Sequence, residues 1–314
     1  MPRRPHPHPP TPRAAPTGVR SGDDPRATGG PSPRARDRFL TLDAYRVRRE
    51  WTRYEGTPQR DLFRQLRERF LVRHAVASGR ALDIGPGPGR FTPLVGGPWV
   101  RRVALELSLE MLRVLRTTWR KLPAAPPLPE LVRGDGVDPP FRAGSFAEVV
   151  AFGNPLGFAG ASAEAFLDAT VGMIAPHGRL LLETVAGPGE ASVYLARLPP
   201  TAVRRLLASP VAALAPRVER EGFRSETLHP PRERDGFRRF TAGTLRSRLE
   251  RAGFRIDEVL SVAPCLGGEP ARAAAVHLDP KAWSHLLDLE ERIGRERARH
   301  RDAAALLVAA VRGK

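Results

Sequence analysis

Cysteine, lysine and long apolar runs are what this sequence has least of. Its one cysteine, Cys265, excludes an intrachain disulfide and suits a reducing, cytoplasmic setting. No apolar run approaches the ~20 residues a bilayer-spanning helix needs, and no signal-peptide stretch follows the basic N-terminus. A soluble chain without a membrane span is therefore expected. Only Lys121, Lys281 and Lys314 of the 51 basic residues are lysines. That bias, with abundant Ala, Pro and Gly, reflects a GC-rich genome. It does not explain the surplus of bases over 34 acids, a formal charge of +17. An anionic partner such as nucleic acid stays in consideration. There is no stripe of basic residues interleaved with aromatics, so nucleic acid is not favoured. No metal site is expected; Pro5-His6-Pro7-His8-Pro9 reads as solvated tail.

The 314 residues allow one large domain with a small cap. Residues 1–36 hold ten prolines and seven arginines and almost nothing to bury, so a disordered basic tail is expected there. Residues 37–79 read as a helical cap. Leu62, Phe63, Leu66, Phe70 and Leu71 mark one apolar face, and Ser78-Gly79 is its expected stop. Tyr45, Trp51 and Tyr54 lie upstream and are aromatic enough to cover a ligand.

From Arg80 strands and helices alternate. Strands are predicted at Ala81–Gly85, Val100–Leu107, Glu130–Gly134, Phe146–Gly153, Gly178–Val185, Phe254–Ala263 and Ala305–Val311. Helices are predicted at Leu107–Leu122, Ala161–Ile174, from Thr241 to Ala252, and from Asp279-Pro280. Alternation of this kind predicts a parallel sheet covered on both faces. The stretch of about 187–240 breaks the rhythm and reads as an inserted lid. The domain proper is expected over 80–314.

The chemistry concentrates in Asp83-Ile84-Gly85-Pro86-Gly87-Pro88-Gly89. Glycines at the carboxyl end of a first strand let backbone approach a ligand. A dinucleotide fingerprint wants its third glycine at position 90, where Arg90 stands, and no Walker lysine follows. Asp83 would repel a phosphate and suits a cationic ligand group. Glu106 closes the second strand, where a carboxylate can accept hydrogen bonds from both ribose hydroxyls of a nucleoside. Asp135 in Gly134-Asp135-Gly136 closes the third and can accept from an adenine amine.

The blocks ALDIGPGPGRFT (81–92), VALELSLEMLRVLR (103–116), VRGDGVDPPFRAGSFAEVVAFG (132–153), LDATVGMIAPHGRLLLET (167–184) and FTAGTLRSRLERAGFRIDEVLSV (240–262) stand in order. Together they resemble the class I S-adenosylmethionine-dependent methyltransferases, of the small-molecule type similar to those of ubiquinone and menaquinone biosynthesis. His177-Gly178 departs from that family's usual Gly-Gly pair. The resemblance implies an α/β fold, a Rossmann-like doubly wound seven-stranded sheet with its last strand antiparallel, and S-adenosyl-L-methionine as cofactor. It implies that Asp83, Gly85, Gly87 and Gly89 hold the methionine and ribose side, and that Glu106 takes the ribose hydroxyls. It further implies that Leu107 and Met111 flank the adenine, that Asp135 and Gly136 receive its amine, and that Gly153 and Asn154 lie where acceptor and cofactor meet.

A sulfonium methyl is already activated, so transfer demands alignment more than acid–base chemistry. No catalytic residue is read outright. The base candidates are Glu183, at the end of the fifth strand, with His229 and Tyr194 in the insertion. His74 reads as a helix-surface residue and His177 as a loop residue. Gly153-Asn154-Pro155-Leu156 lacks the aromatic ring that amino-methylating enzymes of nucleic acid place after Asn-Pro-Pro. The expected acceptor is a small or lipid-like molecule in a closed, partly apolar pocket. The alternatives are an RNA methyltransferase and a non-catalytic protein that keeps the fold.

Overall fold

The computed structural model describes residues 47, 50–122, 126–186, 238–266, 268–301, 303 and 305–314. The tail over 1–36, Tyr45, Tyr194, His229 and nearly all of the insertion lie outside the described residues.

Helix α1 (Pro58–His74) starts at Thr57, whose side chain accepts from the Arg60 amide, with proline in the first turn. Gly56, at φ 84°, separates it from the helical turn at 50–52. The helix ends at His74, and Ser78-Gly79 already belong to β1 (Ser78–Ile84) rather than to a helix stop. Then follow β2 (Trp99–Glu106), α2 (Leu109–Trp119), β3 (Glu130–Arg133), β4 (Phe146–Ala151), the single turn α3 (Pro155–Phe158), α4 (Ala163–Gly172) and β5 (Ile174–Val185). The chain continues with α5 (Ala242–Arg251), β6 (Phe254–Ser261), α6 (Pro270–His277), α7 (Pro280–Gly294) and β7 (Ala305–Arg312). After the glycine loop there is only a 3-10 turn at Thr92–Leu94, because Pro93 and Gly96-Gly97 interrupt the helical pattern.

The seven strands run in the order β3-β2-β1-β4-β5-β7-β6, with β7 antiparallel to both neighbours. The parallel strands are those the alternation predicts, and the antiparallel last strand is the one the family resemblance implies. Successive residues of the central strands go to opposite faces. Leu82, Val149 and Leu182 join the core under α4 and α5, whereas Ala81, Val150 and Leu181 join the core under α1 and α7. A strand buried on both faces reads as a continuous apolar run, as β7 does over Ala305–Val311 and as Val149–Ala151 and Leu180–Leu182 do within β4 and β5. The order reverses between β1 and β4, so a crevice opens past their carboxyl ends. Among the described residues no helix is long and apolar enough to cross a membrane.

Two histidines differ from expectation. His74 is buried, with Nε2 2.6 Å from Glu258 Oε2. His177 lies inside β5 at φ 61°, near the register shift of the β4–β5 pairing. Glu258 also binds Arg73 and Arg295, which ties α1 to β6 and to the end of α7. Burial pulls its carboxyl up, but His74, Arg73 and Arg295 together hold it at about 2. Glu148, fully buried in β4, accepts from the amides of Val76 and Gly96, both at 2.8 Å. Burial outweighs those bonds and lifts its carboxyl to about 7.

These two groups act in opposite pH windows. The folded state keeps a proton on Glu148 that an unfolded carboxyl sheds near pH 4.3, so this stabilisation is lost as pH rises through 7. The Glu258 contribution is present above that range and lost as pH falls toward 2. Urea unfolding of the ligand-free protein should give decreasing stability from pH 5 to pH 8. Glu148→Gln should lower stability at pH 5 and flatten that slope; an unchanged slope would contradict the assignment.

Candidate active site

The site is built where β1 and β2 end. Gly85 leaves β1 with its amide on the Leu105 carbonyl at 2.9 Å. Gly87 follows at φ 57°, and a Cβ built on it meets nothing within 4 Å, so its backbone faces open space. Gly89 does the opposite. A Cβ there would lie 2.6 Å from Leu115 Cγ, so glycine lets the loop close onto α2.

Glu106 organises this loop. Its Oε2 accepts from the Gly87 amide at 3.0 Å and its Oε1 from the Ser108 amide at 2.9 Å. Ser108 in turn caps α2, accepting from the Met111 amide. Burial raises the Glu106 carboxyl and the amide bonds oppose that rise. A carboxylate has about four acceptor positions, so two amide bonds leave capacity for two hydroxyl donors.

A half-open cleft, about 1020 Å³ of empty space counting the solvent at its mouth, lies over this loop. One wall carries Gly85, Gly87, Glu106, Leu107, Met111, Asp135 and Gly136. Asp135 Oδ1 accepts from the Val137 amide at 2.9 Å. Gly136 packs so closely that a Cβ would sit 2.5 Å from Phe166 Cε2. The same cleft is lined by Gly153, Phe91, Phe152, Phe158 and three cap residues, Glu50, Arg53 and Tyr54.

Three of the residues singled out in the sequence stand behind these walls. Asp83 is buried beneath the loop, where Oδ2 accepts from Thr92 Oγ1 at 2.7 Å and burial lifts its carboxyl to about 7. Gly89 faces a neighbouring pocket between α2 and the cap. Asn154 is buried at φ 70°, with Oδ1 accepting from the Val185 amide at 3.1 Å, so it shapes the turn that presents Gly153.

Glu183, the described candidate base, is not a lining residue either. Its carboxylate is held bidentately by Arg67, Nε at 3.0 Å and Nη2 at 2.5 Å, and accepts from the Gly153 amide at 3.0 Å. Burial would raise its carboxyl, but Arg67 and the Gly153 amide lower it below the ordinary value. An anion held in this way is poorly disposed to take a proton. Sequence reasoning missed Arg67. Its signal was an arginine flanked by Phe63, Leu66, Phe70 and Leu71 on an apolar face, which demands a buried anionic partner. It also missed Arg90, which reaches from the glycine loop to the Trp51 carbonyl and, at 2.7 Å, to Glu55. Among the described residues no group of three or more His, Cys, Asp or Glu is placed to hold a metal.

Residues 82–182 match the family model described as a methyltransferase domain. Over those residues the chain is similar to methyltransferase domains. No curated protein matches it by sequence. Among solved structures it is similar to the methyltransferase complexed with the Haloferax volcanii Trm112 methyltransferase activator. That likeness has 19% identity, covers 89% of this chain and 98% of the other, and gives a TM-score of 0.53. It also resembles an S-adenosylmethionine-dependent methyltransferase from Mesorhizobium loti, 19% identical over 82% of this chain and all of that one, TM-score 0.48. The geranyl diphosphate C-methyltransferase of Streptomyces coelicolor is 13% identical over 78% of each chain, TM-score 0.45. At such identities the likeness is one of fold.

Glu106→Ala leaves the Gly87 and Ser108 amides without their buried acceptor, at a cost of about 1–3 kcal/mol each. Urea unfolding should show a loss of at least that size, whereas a loss below about 0.5 kcal/mol would mean that Glu106 does not hold the loop.

Proposed function

We propose that the protein is an S-adenosyl-L-methionine-dependent methyltransferase that acts on a small or lipid-like acceptor by in-line displacement. The observation that carries this reading is one cleft with two unlike kinds of lining. Glu106 and Asp135, at adjacent strand ends beside a glycine loop, share it with a set of aromatic rings.

The residues present fit the cofactor. Gly87 offers unobstructed backbone to its methionine part, beside Gly85, which packs against Pro155. Glu106 keeps acceptor capacity for two ribose hydroxyls, Leu107 and Met111 border the adenine, and Asp135 and Gly136 receive its amine. Asp83 lies below the loop, where a cationic ligand would draw its carboxyl, lifted to about 7 by burial, back toward the charged form. The cofactor supplies a methyl group on a positively charged sulfur, which keeps the electron pair when the carbon–sulfur bond breaks. What this chain does is align the acceptor with that carbon and exclude water. Alignment of this kind can be worth about 7–11 kcal/mol. Glu183 holds Gly153 in place and takes no proton.

Calorimetric titration tests the cofactor assignment. Wild type should bind S-adenosylmethionine, and Glu106→Ala and Asp135→Ala should each weaken binding at least tenfold. Unchanged affinity in both sinks the assignment. Incubating the protein with a metabolite extract and methyl-labelled cofactor then identifies the acceptor. Label appearing only in nucleic acid would replace the small-molecule reading with RNA methylation, and cofactor binding without any labelled product would favour a non-catalytic role.

A further inference from the structure

The cap segment 50–55 is held over the cleft at two points, each an arginine stacked on an aromatic ring. On one flank Arg90, from the glycine loop, lies 4.8 Å over the Trp51 ring and binds Glu55. On the other, Arg67 lies 5.2 Å over the Tyr54 ring. Arg67 is itself immobilised, by the bidentate pair with Glu183 and by donating to the Phe63 carbonyl at 2.7 Å. Tyr54 lines the cleft, and its ring meets Phe91 edge-on at 5.5 Å; Phe91 meets Phe152 at 6.1 Å. Three rings thus make one apolar wall, and Glu183 connects that wall to Gly153 on the turn after β4.

The geometry points to Tyr54 as the residue that binds and orients the acceptor, with Arg67 and Glu183 as positioning residues that act through it. The acceptor class that fits is one with a flat, apolar, unsaturated portion lying against Tyr54, Phe91 and Phe152. Edge-to-face and stacked contacts with such a group add to simple apolar burial, and a ring whose own face is occupied by a guanidinium has little freedom to turn away. The ring of Tyr54, rather than its hydroxyl, does this. The inference rests on the methyltransferase reading for what the bound molecule is there to receive, but not for the existence of the wall.

The test uses the full chain and two probes, S-adenosylhomocysteine by calorimetry and 2-naphthol by its fluorescence. Tyr54→Ala should weaken 2-naphthol at least tenfold while S-adenosylhomocysteine stays within twofold. Tyr54→Phe should keep both within twofold. Arg67→Lys, which keeps the charge but loses the stacked plane, should weaken 2-naphthol severalfold and spare S-adenosylhomocysteine. The double variant Arg67→Met/Glu183→Gln removes both buried charges and should do the same. The proposal is overturned if wild type does not bind 2-naphthol, if Tyr54→Ala leaves it unchanged, or if both probes weaken together. If the double variant does not fold, Arg67→Lys decides the role of the pair. Loss of 2-naphthol in Tyr54→Ala, with no S-adenosylhomocysteine binding even in wild type, would uphold the wall and defeat the methyltransferase reading instead.

Discussion

Arg67 and Glu183 stand 116 residues apart in sequence and meet almost sealed from water, with side chains 7% and 4% exposed. Burying two charges is expensive, and the pair is tolerated because the planar guanidinium meets both carboxylate oxygens and the remaining valences find the Phe63 carbonyl and the Gly153 amide. Removing one partner alone typically costs about 3–5 kcal/mol, because the other stays behind as an unpaired buried charge. The consequence is geometric. The cap helix, the end of β5 and the turn after β4 share one set of hydrogen bonds, and the aromatic wall of the cleft is positioned by that set.

Four buried carboxylates near the sheet show how the same group takes different roles according to what faces it. Glu183 faces an arginine and stays ionised. Glu106 faces two amides and keeps acceptor capacity toward the cleft. Asp83 faces one hydroxyl, and Glu148 faces two amides at the other end of the strands; burial dominates for both and lifts each to about 7. Only Glu106 is both anchored and on the cleft wall. That carboxylate is therefore held at the cleft by backbone amides, without a charged side chain as its partner.

The sheet was legible in the sequence because strands buried on both faces are mostly apolar and the helices between them carry an apolar stripe. Each predicted strand is present, with ends shifted by a few residues. The helices α3 and α6 were not legible: α3 is a single turn, and α6 (PARAAAVH) is too short and too weakly patterned to separate from a loop. The residues of the cleft divide in the same way. Gly85, Gly87, Glu106 and Asp135 belong to local patterns, a loop and strand ends, and the fold brings them together. Asp83, Gly89 and Asn154 belong to the same patterns but shape the loops from behind, since strand position does not say which way a side chain turns.

The sequence by itself determined that a glycine loop unsuited to phosphate follows a first strand, and that carboxylates close the next two strands. Those are properties of spacing along the chain, and spacing survives folding. Only the tertiary structure decided that Glu183 is paired with an arginine, that this is Arg67 reaching it from the cap, and that Tyr54 lines the cleft. A buried charge is stable only beside its partner, and here that partner comes from a helix whose position over the sheet is set by packing, not by neighbours in sequence.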